Sequence, residues 1–356
     1  MTYRNILFLL LFLPVASFAQ AYNDWQYAAP VTVDNSANAD TYSDFQVQVS
    51  IDTATLVAAG KLKADGSDLR FSDLGLTTGL CYFIESGMNT ATTLVWVNVP
   101  SLPSSGIVDI SMVYGNPVAV AESNPDCVFD LFEDFSTDLG VFADAGCGSF
   151  TGAAVAGEGQ LSWPSSGLMV TNTTFPVATA FLAEANVTGA TGTWPGIYWV
   201  NSDASHKSYG IMVNTTNARI SVTGGGDSYC SGHNWASTLS PFTSAVGLWS
   251  ITWPQDGVQI AEFPTVGVIT STDITHSRTS DLQLMIGGIS SGSGSIDLDW
   301  VRVRKFADST PGTSIGAEVI LSSPQLEAIS IPVLSKISLL LLAGLILIPV
   351  ARRLRA

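Results

Sequence analysis

Positive charge is scarce through most of this 356-residue sequence. Five of the 14 Lys and Arg residues lie near the two ends, so nine remain between residues 22 and 330, together with all 30 Asp and Glu. This central part therefore has a formal net charge of −21. Such a surface repels nucleic acid and anionic lipid. We predict that the protein has no nucleic-acid partner.

Cysteine is also scarce, and the spacing of the four cysteines argues against zinc or thioredoxin-like chemistry. None of them forms a Cys-x-x-Cys pair. The sequence has no Gly-x-Ser-x-Gly elbow to position a catalytic serine. Because no catalytic constellation assembles from the sequence, we predict that the protein is not an enzyme.

The N-terminus has the pattern of a secretory signal peptide. Arg4 precedes an apolar run at 6–15, and the small residues Ala19 and Ala21 follow. One positive charge, a short apolar core and an A-x-A site are the parts of such a signal. We predict that residues 1–21 direct export and that cleavage follows Ala19 or Ala21.

The C-terminus contains a second apolar segment. A largely apolar run without charged residues occupies 337–351, and an arginine cluster follows at 352–355. A membrane helix needs about 20 residues, a length that is approached when the segment begins at Val333 and the Lys336 side chain extends to the membrane surface. Arginines favour the cytoplasmic side. We predict a transmembrane helix that leaves most of the chain outside the cytoplasm.

The segment 331–356 resembles bacterial C-terminal sorting signals of the IPTL type, which are related in layout to the PEP-CTERM signals handled by exosortases. The motif consists of Ile331, Pro332, Leu334 and Ser335. Val333 stands where Thr is usual in that class. The resemblance implies anchoring in the inner membrane until a sorting protease processes the protein for the cell surface.

Alternating apolar residues and frequent turns predict an all-β protein with two β-sandwich, jelly-roll-like domains before the transmembrane helix. Phe45, Val47, Val49 and Ile51 fall on one face of a strand, for example, and only 53–62 looks helical.

Residues 22–126 resemble the family called domain of unknown function 2341. The segments that carry the resemblance are 25–27, 31–35, 65–73, 82–85, 95–97 and 113–117. The family occurs in secreted and envelope proteins, and it implies an architecture without catalytic residues.

Residues 127–308 resemble a concanavalin-A-like jelly roll, in which the first and last strands pair. The resemblance rests on the opening segment 132–135 and the closing segment 296–304. Residues 309–330 lack periodicity and contain Pro and Gly, so we expect a flexible linker.

Laminarinase-like hydrolases share this jelly roll and use a Glu-x-Asp-x-(x)-Glu strand, whose glutamates act as nucleophile and acid/base. None of the eight glutamates here has that spacing. Distant carboxylates can converge in a fold, so a polysaccharide-active enzyme remains the alternative interpretation.

The jelly-roll resemblance also implies a structural calcium where the first and last strands meet. The acids expected there are Glu133, Asp134, Asp297 and Asp299. In a regular strand Asp297 and Asp299 share a face with the apolar Val301, so these acids would need a cation as partner. The alternative is that the strand bends at Asp299 and both acids are solvated.

Two tryptophans are candidates for carbohydrate binding. Trp194 and Trp235 lie among Gly, Pro, Ser and Asn, where exposed rings could stack on sugars, although packing in the core or at its rim is the alternative. We therefore predict an exported surface protein that binds extracellular polysaccharide or is purely structural.

An even number of cysteines outside the cytoplasm suggests two disulfides, and four cysteines allow three connectivities. Because each domain must close its own fold, we expect Cys81–Cys127 and Cys147–Cys230.

Overall fold

The structure is a computed structural model that describes residues 22–203, 208–214, 217–223, 233–239, 245–252, 259–263, 267–271, 278–288 and 292–321. The predicted signal peptide, sorting motif and transmembrane helix lie outside these residues. Within them, no helix is long and apolar enough to cross a membrane.

The first domain is a sandwich of two antiparallel sheets. Its strands in chain order are β1 (Tyr27–Asp34), β2 (Tyr42–Ile51), β3 (Leu69–Asp73), β4 (Gly79–Leu80), β5 (Tyr82–Ser86), β6 (Thr93–Leu102) and β7 (Ile107–Tyr114). One sheet contains β1, β7, β3 and β4 in that order, and the other has the order β2-β6-β5. Two short helices, α1 (Thr53–Ala58) and α2 (Pro125–Val128), complete this part of the chain.

The alternation in the sequence builds the core between these sheets. Phe45, Val47, Val49 and Ile51 of β2 are all buried in it, as the sequence predicts. Successive side chains of a strand point to opposite faces, so alternate apolar residues form one continuous buried row. Helix α1 follows Asp52, which caps it by accepting a hydrogen bond from a backbone N–H of the first turn.

The second domain is a larger antiparallel sandwich. Its strands are β8 (Leu131–Glu133), β9 (Phe142–Asp144), β10 (Thr151–Val155), β11 (Glu158–Trp163), β12 (Gly167–Thr171), β13 (Phe181–Gly192), β14 (Pro195–Asn201), β15 (Ser208–Val213), β16 (Ala218–Thr223), β17 (His233–Leu239), β18 (Gly247–Thr252), β19 (Gln259–Phe263), β20 (Gly267–Ser271), β21 (Leu282–Gly288) and β22 (Gly294–Lys305).

Eight of these strands form one sheet in the order β10-β11-β22-β13-β18-β19-β20, with β8 beside β22. The other seven form the order β17-β16-β15-β14-β21-β12-β9. The first strand of this domain therefore pairs with its last, as predicted, and Glu133 lies opposite Val301. The predicted two-sandwich, nearly all-β architecture is confirmed.

The chain then returns to the first domain, and this corrects the predicted linker. Strands β23 (Gly312–Ile315) and β24 (Val319–Ile320) pair antiparallel with β1. The predicted flexible linker over 309–330 is therefore wrong where these two strands lie. Their pairing with β1 satisfies backbone N–H and C=O groups that β1 would otherwise leave open at the edge of the sheet. The two strands are too short to show a period in the sequence. The second domain is thus an insertion into the first.

Candidate functional site

The predicted alignment of acids along β22 is interrupted by a β-bulge at Asp299. Leu298 and Trp300 have consecutive partners on β13, and Asp299 between them has none. Leu298 before the bulge and Val301 and Val303 after it all point into the core. The bulge therefore reverses the alternation, and the prediction that Asp297 and Asp299 share a face with Val301 and Val303 is wrong.

Asp297 and Asp299 both lie outside the core. Asp299 is exposed and accepts a hydrogen bond from the Asn186 side chain at 3.0 Å. Partial burial raises the pKa of Asp297, and the nearby carboxylate of Glu158 raises it further. These environments match the alternative in which the strand bends at Asp299.

The two acids of the opening strand serve local turns. The carboxylate of Glu133 accepts a hydrogen bond from the backbone N–H of Phe135 at 2.8 Å, and partial burial raises its pKa. Asp134 is exposed and accepts from the backbone N–H of Ser136 at 3.0 Å. Among the residues with described structure, no three His, Cys, Asp or Glu side chains form a group that could hold a metal ion. Calcium binding therefore stays a prediction.

The described cysteines of the two predicted disulfides are in different states. Cys147 is disulfide-bonded, and its predicted partner Cys230 lies outside the described residues. Cys81 and Cys127 are free thiols, so the predicted bond between them is wrong. Burial, together with contact with Cys81, raises the pKa of Cys127 to about 12. The two thiols thus meet without being joined, while the Cys127 sulfur is directed at the carbonyl of Asn124, 3.3 Å away.

The outer face of the seven-stranded sheet is apolar. Its buried side chains are Leu168, Val170, Tyr198, Val200, Met212 and Met285, together with Cys147. Tyr198 is fully buried, its hydroxyl has no hydrogen-bond partner among the described residues, and burial raises its pKa well above the ordinary value. Sequence reasoning missed Tyr198, although the uninterrupted apolar run of β14 signals burial on both faces.

Trp194 lies at the rim of this apolar face. It precedes β14 with a left-handed φ of 56°, and it packs half-buried against the cluster. The guanidinium of Arg219 lies 4.5 Å from the centre of its ring. Trp235 lies on β17 opposite Ser221, and its side chain is outside the described part. The structure therefore places Trp194 beside an apolar sheet face and leaves its relation to the Trp235 ring untested.

A buried ion cluster joins the two domains on the outer face of the eight-stranded sheet. Arg302 is 3% exposed and donates to Glu184 of the same sheet at 2.7 Å and to Glu85 of the first domain at 2.5 Å. Arg304 donates to Glu184 as well, at 2.9 Å. Glu85 also accepts from the indole N–H of Trp96 at 3.1 Å. Arg302 therefore pairs with one carboxylate of each domain, of which Glu184 is buried and Glu85 is partly exposed.

Aromatic rings surround the Arg302 guanidinium. Its centre lies 4.7 Å from the ring of Trp96, 5.0 Å from Phe129 and 4.6 Å from Trp300. Burial alone would raise the pKa of Glu184, but Arg304 and Arg302 outweigh it and hold this pKa below its ordinary value. Glu184 is therefore an ionised structural partner and not a proton donor near neutral pH. This cluster was not predicted, because its members are far apart in the sequence.

Comparisons with known proteins agree with the resemblance of the first domain. Residues 65–141 match the family model of the domain of unknown function 2341. The matched stretch includes Glu85, Trp96 and Phe129 of the ion cluster. No curated protein matches the sequence significantly.

Several solved structures are distantly similar. One, described with endo-acting O-glycanases of the human gut microbiota, has 11% identity and a TM-score of 0.39, and the match covers 50% of this chain and 99% of that one. LamAcat from Zobellia galactanivorans has 10% identity and a TM-score of 0.37 over 49% and 97%. The carbohydrate-binding module CBM66 from Bacillus subtilis has 10% identity and a TM-score of 0.33 over 44% and 91%. These likenesses are too distant to indicate a function.

Proposed function

We propose that the chain is an exported cell-surface protein that binds extracellular polysaccharide without cleaving it and is held by its C-terminal tail. One observation carries this proposal, namely the return of the chain to β1. Tyr27 at the start of β1 pairs with Ile320, and Asp34 at its end pairs with Gly312. Both ends of the described chain therefore lie at one end of β1. The returning connection from the second domain enters at the Asp34 end, about 25 Å away for eight residues, whereas β7 leaves the first domain at Tyr114, beside Tyr27.

This geometry suits display at a surface. An anchor that follows residue 321 would hold the first domain near the membrane, and the inserted second domain would extend away from it. The paired carboxylates and arginines between the domains make the arrangement rigid. A rigid support presents a binding face without the entropic cost of ordering a linker on binding.

Binding, as opposed to hydrolysis, is supported by the chemistry of the seven-stranded sheet. Aromatic rings beside apolar surface are suited to stacking on sugar rings, and Trp194 is such a ring at the rim of the Tyr198 face. Glycoside hydrolysis needs two carboxyl groups about 5–9.5 Å apart. The described side chains of this face include the apolar cluster and the Arg219 guanidinium beside Trp194.

Anchoring is tested by deletion of residues 331–356. We expect the full chain to fractionate with membranes or the cell surface and the shortened chain to be released in soluble form, because only the tail would hold it. A shortened chain that remains bound to membranes would contradict the anchor.

Polysaccharide binding is tested on a glycan array with Trp194→Ala and the matched variant Trp194→Phe. Loss of binding in the first and retention in the second are expected, since stacking requires a ring. If Trp194→Ala binds the glycans as tightly as the unmodified protein, Trp194 has no role in binding. Release of shorter sugars from the array glycans would instead support the alternative, a polysaccharide-active enzyme.

A further inference from the structure

A cleft of about 180 Å³ lies between the two domains, away from the Trp194 face. Its floor is the outer face of the eight-stranded sheet, and Phe45 of β2 and the connecting residues 306–311 form part of its walls. One water needs about 10–15 Å³ on this measure, so the cleft has room for a small ligand.

The floor combines apolar and polar side chains in register. Arg304, Leu182 and Thr252 lie directly opposite one another on neighbouring strands, and Thr252 lies opposite Ile260. In the adjacent row, Glu262 lies opposite Ser250, which also lines the cleft. A ligand here would meet a guanidinium, a carboxylate and hydroxyl groups within one short stretch of sheet.

The hydroxyl of Thr252 lacks a partner. Thr252 is 2% exposed and lines the cleft, and its Oγ1 makes no hydrogen bond to any residue that the structure describes. Buried hydroxyls are nearly always hydrogen-bonded, so one at a cleft that finds no partner among the described residues is a candidate contact for a ligand. A valine would have the same shape without the unsatisfied group.

Arg304 and Glu262 add charged hydrogen-bonding groups on either side of Thr252. Two nitrogens of Arg304, Nε and Nη2, donate to Glu184, whereas Nη1 makes no hydrogen bond among the described residues. Glu262 is exposed and offers carboxylate oxygens as acceptors. Donor and acceptor thus flank the buried hydroxyl, and Leu182 and Ile260 provide apolar surface between them.

We propose that this cleft binds a single neutral sugar residue. The hydroxyl groups of a pyranose both donate and accept hydrogen bonds, which suits the alternation of guanidinium, hydroxyl and carboxylate. Its C–H face suits the apolar side chains on the floor. The cleft and the Trp194 face lie on opposite sheets, so either binding activity can fail without the other.

The test uses the purified full-length chain and four probes, namely glucose, galactose, mannose and N-acetylglucosamine. Binding is measured by saturation-transfer NMR and calorimetry at sugar concentrations up to about 100 mM, which detects dissociation constants near 1 mM. We expect at least one sugar to bind. Loss of one hydrogen bond in Thr252→Val should weaken this binding by about threefold to tenfold.

Three further measurements make the test decisive. Thr252→Val should unfold at the same temperature as the unmodified protein or higher, so weaker binding would not reflect misfolding. Glu262→Gln, at an exposed position, should also weaken binding, whereas Thr270→Val, exposed on the neighbouring strand β20, should not. The proposal would be overturned if none of the four sugars bound. It would also be overturned if Thr252→Val and Glu262→Gln bound sugar as tightly as the unmodified protein. The Trp194→Ala variant tests polysaccharide binding on the seven-stranded sheet. Loss of that binding would leave the outcome for the sugar cleft unchanged.

Discussion

Replacement of Arg302 by methionine should strongly destabilise the contact between the two domains. The guanidinium is buried and bonded to Glu184 and Glu85, one carboxylate from each domain. Methionine keeps much of the apolar volume and removes the charge. The buried carboxylate of Glu184 and the partly exposed carboxylate of Glu85 then both lose a cationic partner.

The expected loss follows from what remains after the change. Removal of one member of a buried ion pair costs about 3–5 kcal/mol, because the other charge is left uncompensated. Here Glu184 keeps Arg304, and Glu85 keeps hydrogen bonds from Trp96 and from Gln48, the latter at 3.0 Å. We therefore expect the lower end of that range, about 3 kcal/mol of unfolding free energy.

The measurement is urea unfolding followed by tryptophan fluorescence and circular dichroism. Because Arg302 joins the domains, we expect one transition in the unmodified protein and two separated transitions in Arg302→Met. Arg304→Met is the matched control. It removes a partly exposed guanidinium from the same glutamate, and we expect a loss of about 1 kcal/mol.

A double-mutant cycle between Arg302→Met and Glu85→Gln isolates the contact between the domains. Neighbouring charged residues couple by about 0.5–3 kcal/mol, and we expect a value in the upper half of that range. A loss below about 1 kcal/mol in Arg302→Met, together with no coupling to Glu85, would refute this account of the interface.

Three further predictions concern pH, chain ends and packing. The pKa of Glu184 is lowered on folding, so its stabilising contribution is present above the unfolded value of about 4.3 and is lost as pH falls through the lower folded value. The difference in urea stability between the protein and Glu184→Gln should thus be largest near neutral pH and shrink below about pH 4. A chain that ends before β23 should be digested rapidly by protease in its first domain, because β1 then lacks its partners β23 and β24. A chain that ends just after β24 should resist digestion. Gly210→Ala should lower unfolding free energy by about 1–3 kcal/mol, because a Cβ there would lie 1.9 Å from the Tyr198 ring, whereas Gly312→Ala, with nothing nearer than 3.9 Å, should not.

Local patterns account for what could be predicted about the fold. The alternation in β2 depends only on the side-chain period of a strand, and this strand lies where the sequence placed it. The jelly-roll resemblance predicted that β8 pairs with β22, and the structure has this pairing. The candidate sites were harder to predict, since Trp194 reaches a sheet face that Tyr198 and Met285 complete from elsewhere in the chain.

Taken by itself, the sequence determined the two all-β sandwiches and the acidic central region, because each depends on composition or on neighbours within a strand. Tertiary structure decided three other features. The bulge at Asp299 depends on how β22 meets β13, the return of the chain depends on an open edge of β1, and the bond from Arg302 to Glu85 joins residues 217 positions apart. Contacts of this range leave no periodic trace in a single sequence, since each partner is chosen by the packed fold and not by its neighbours along the chain.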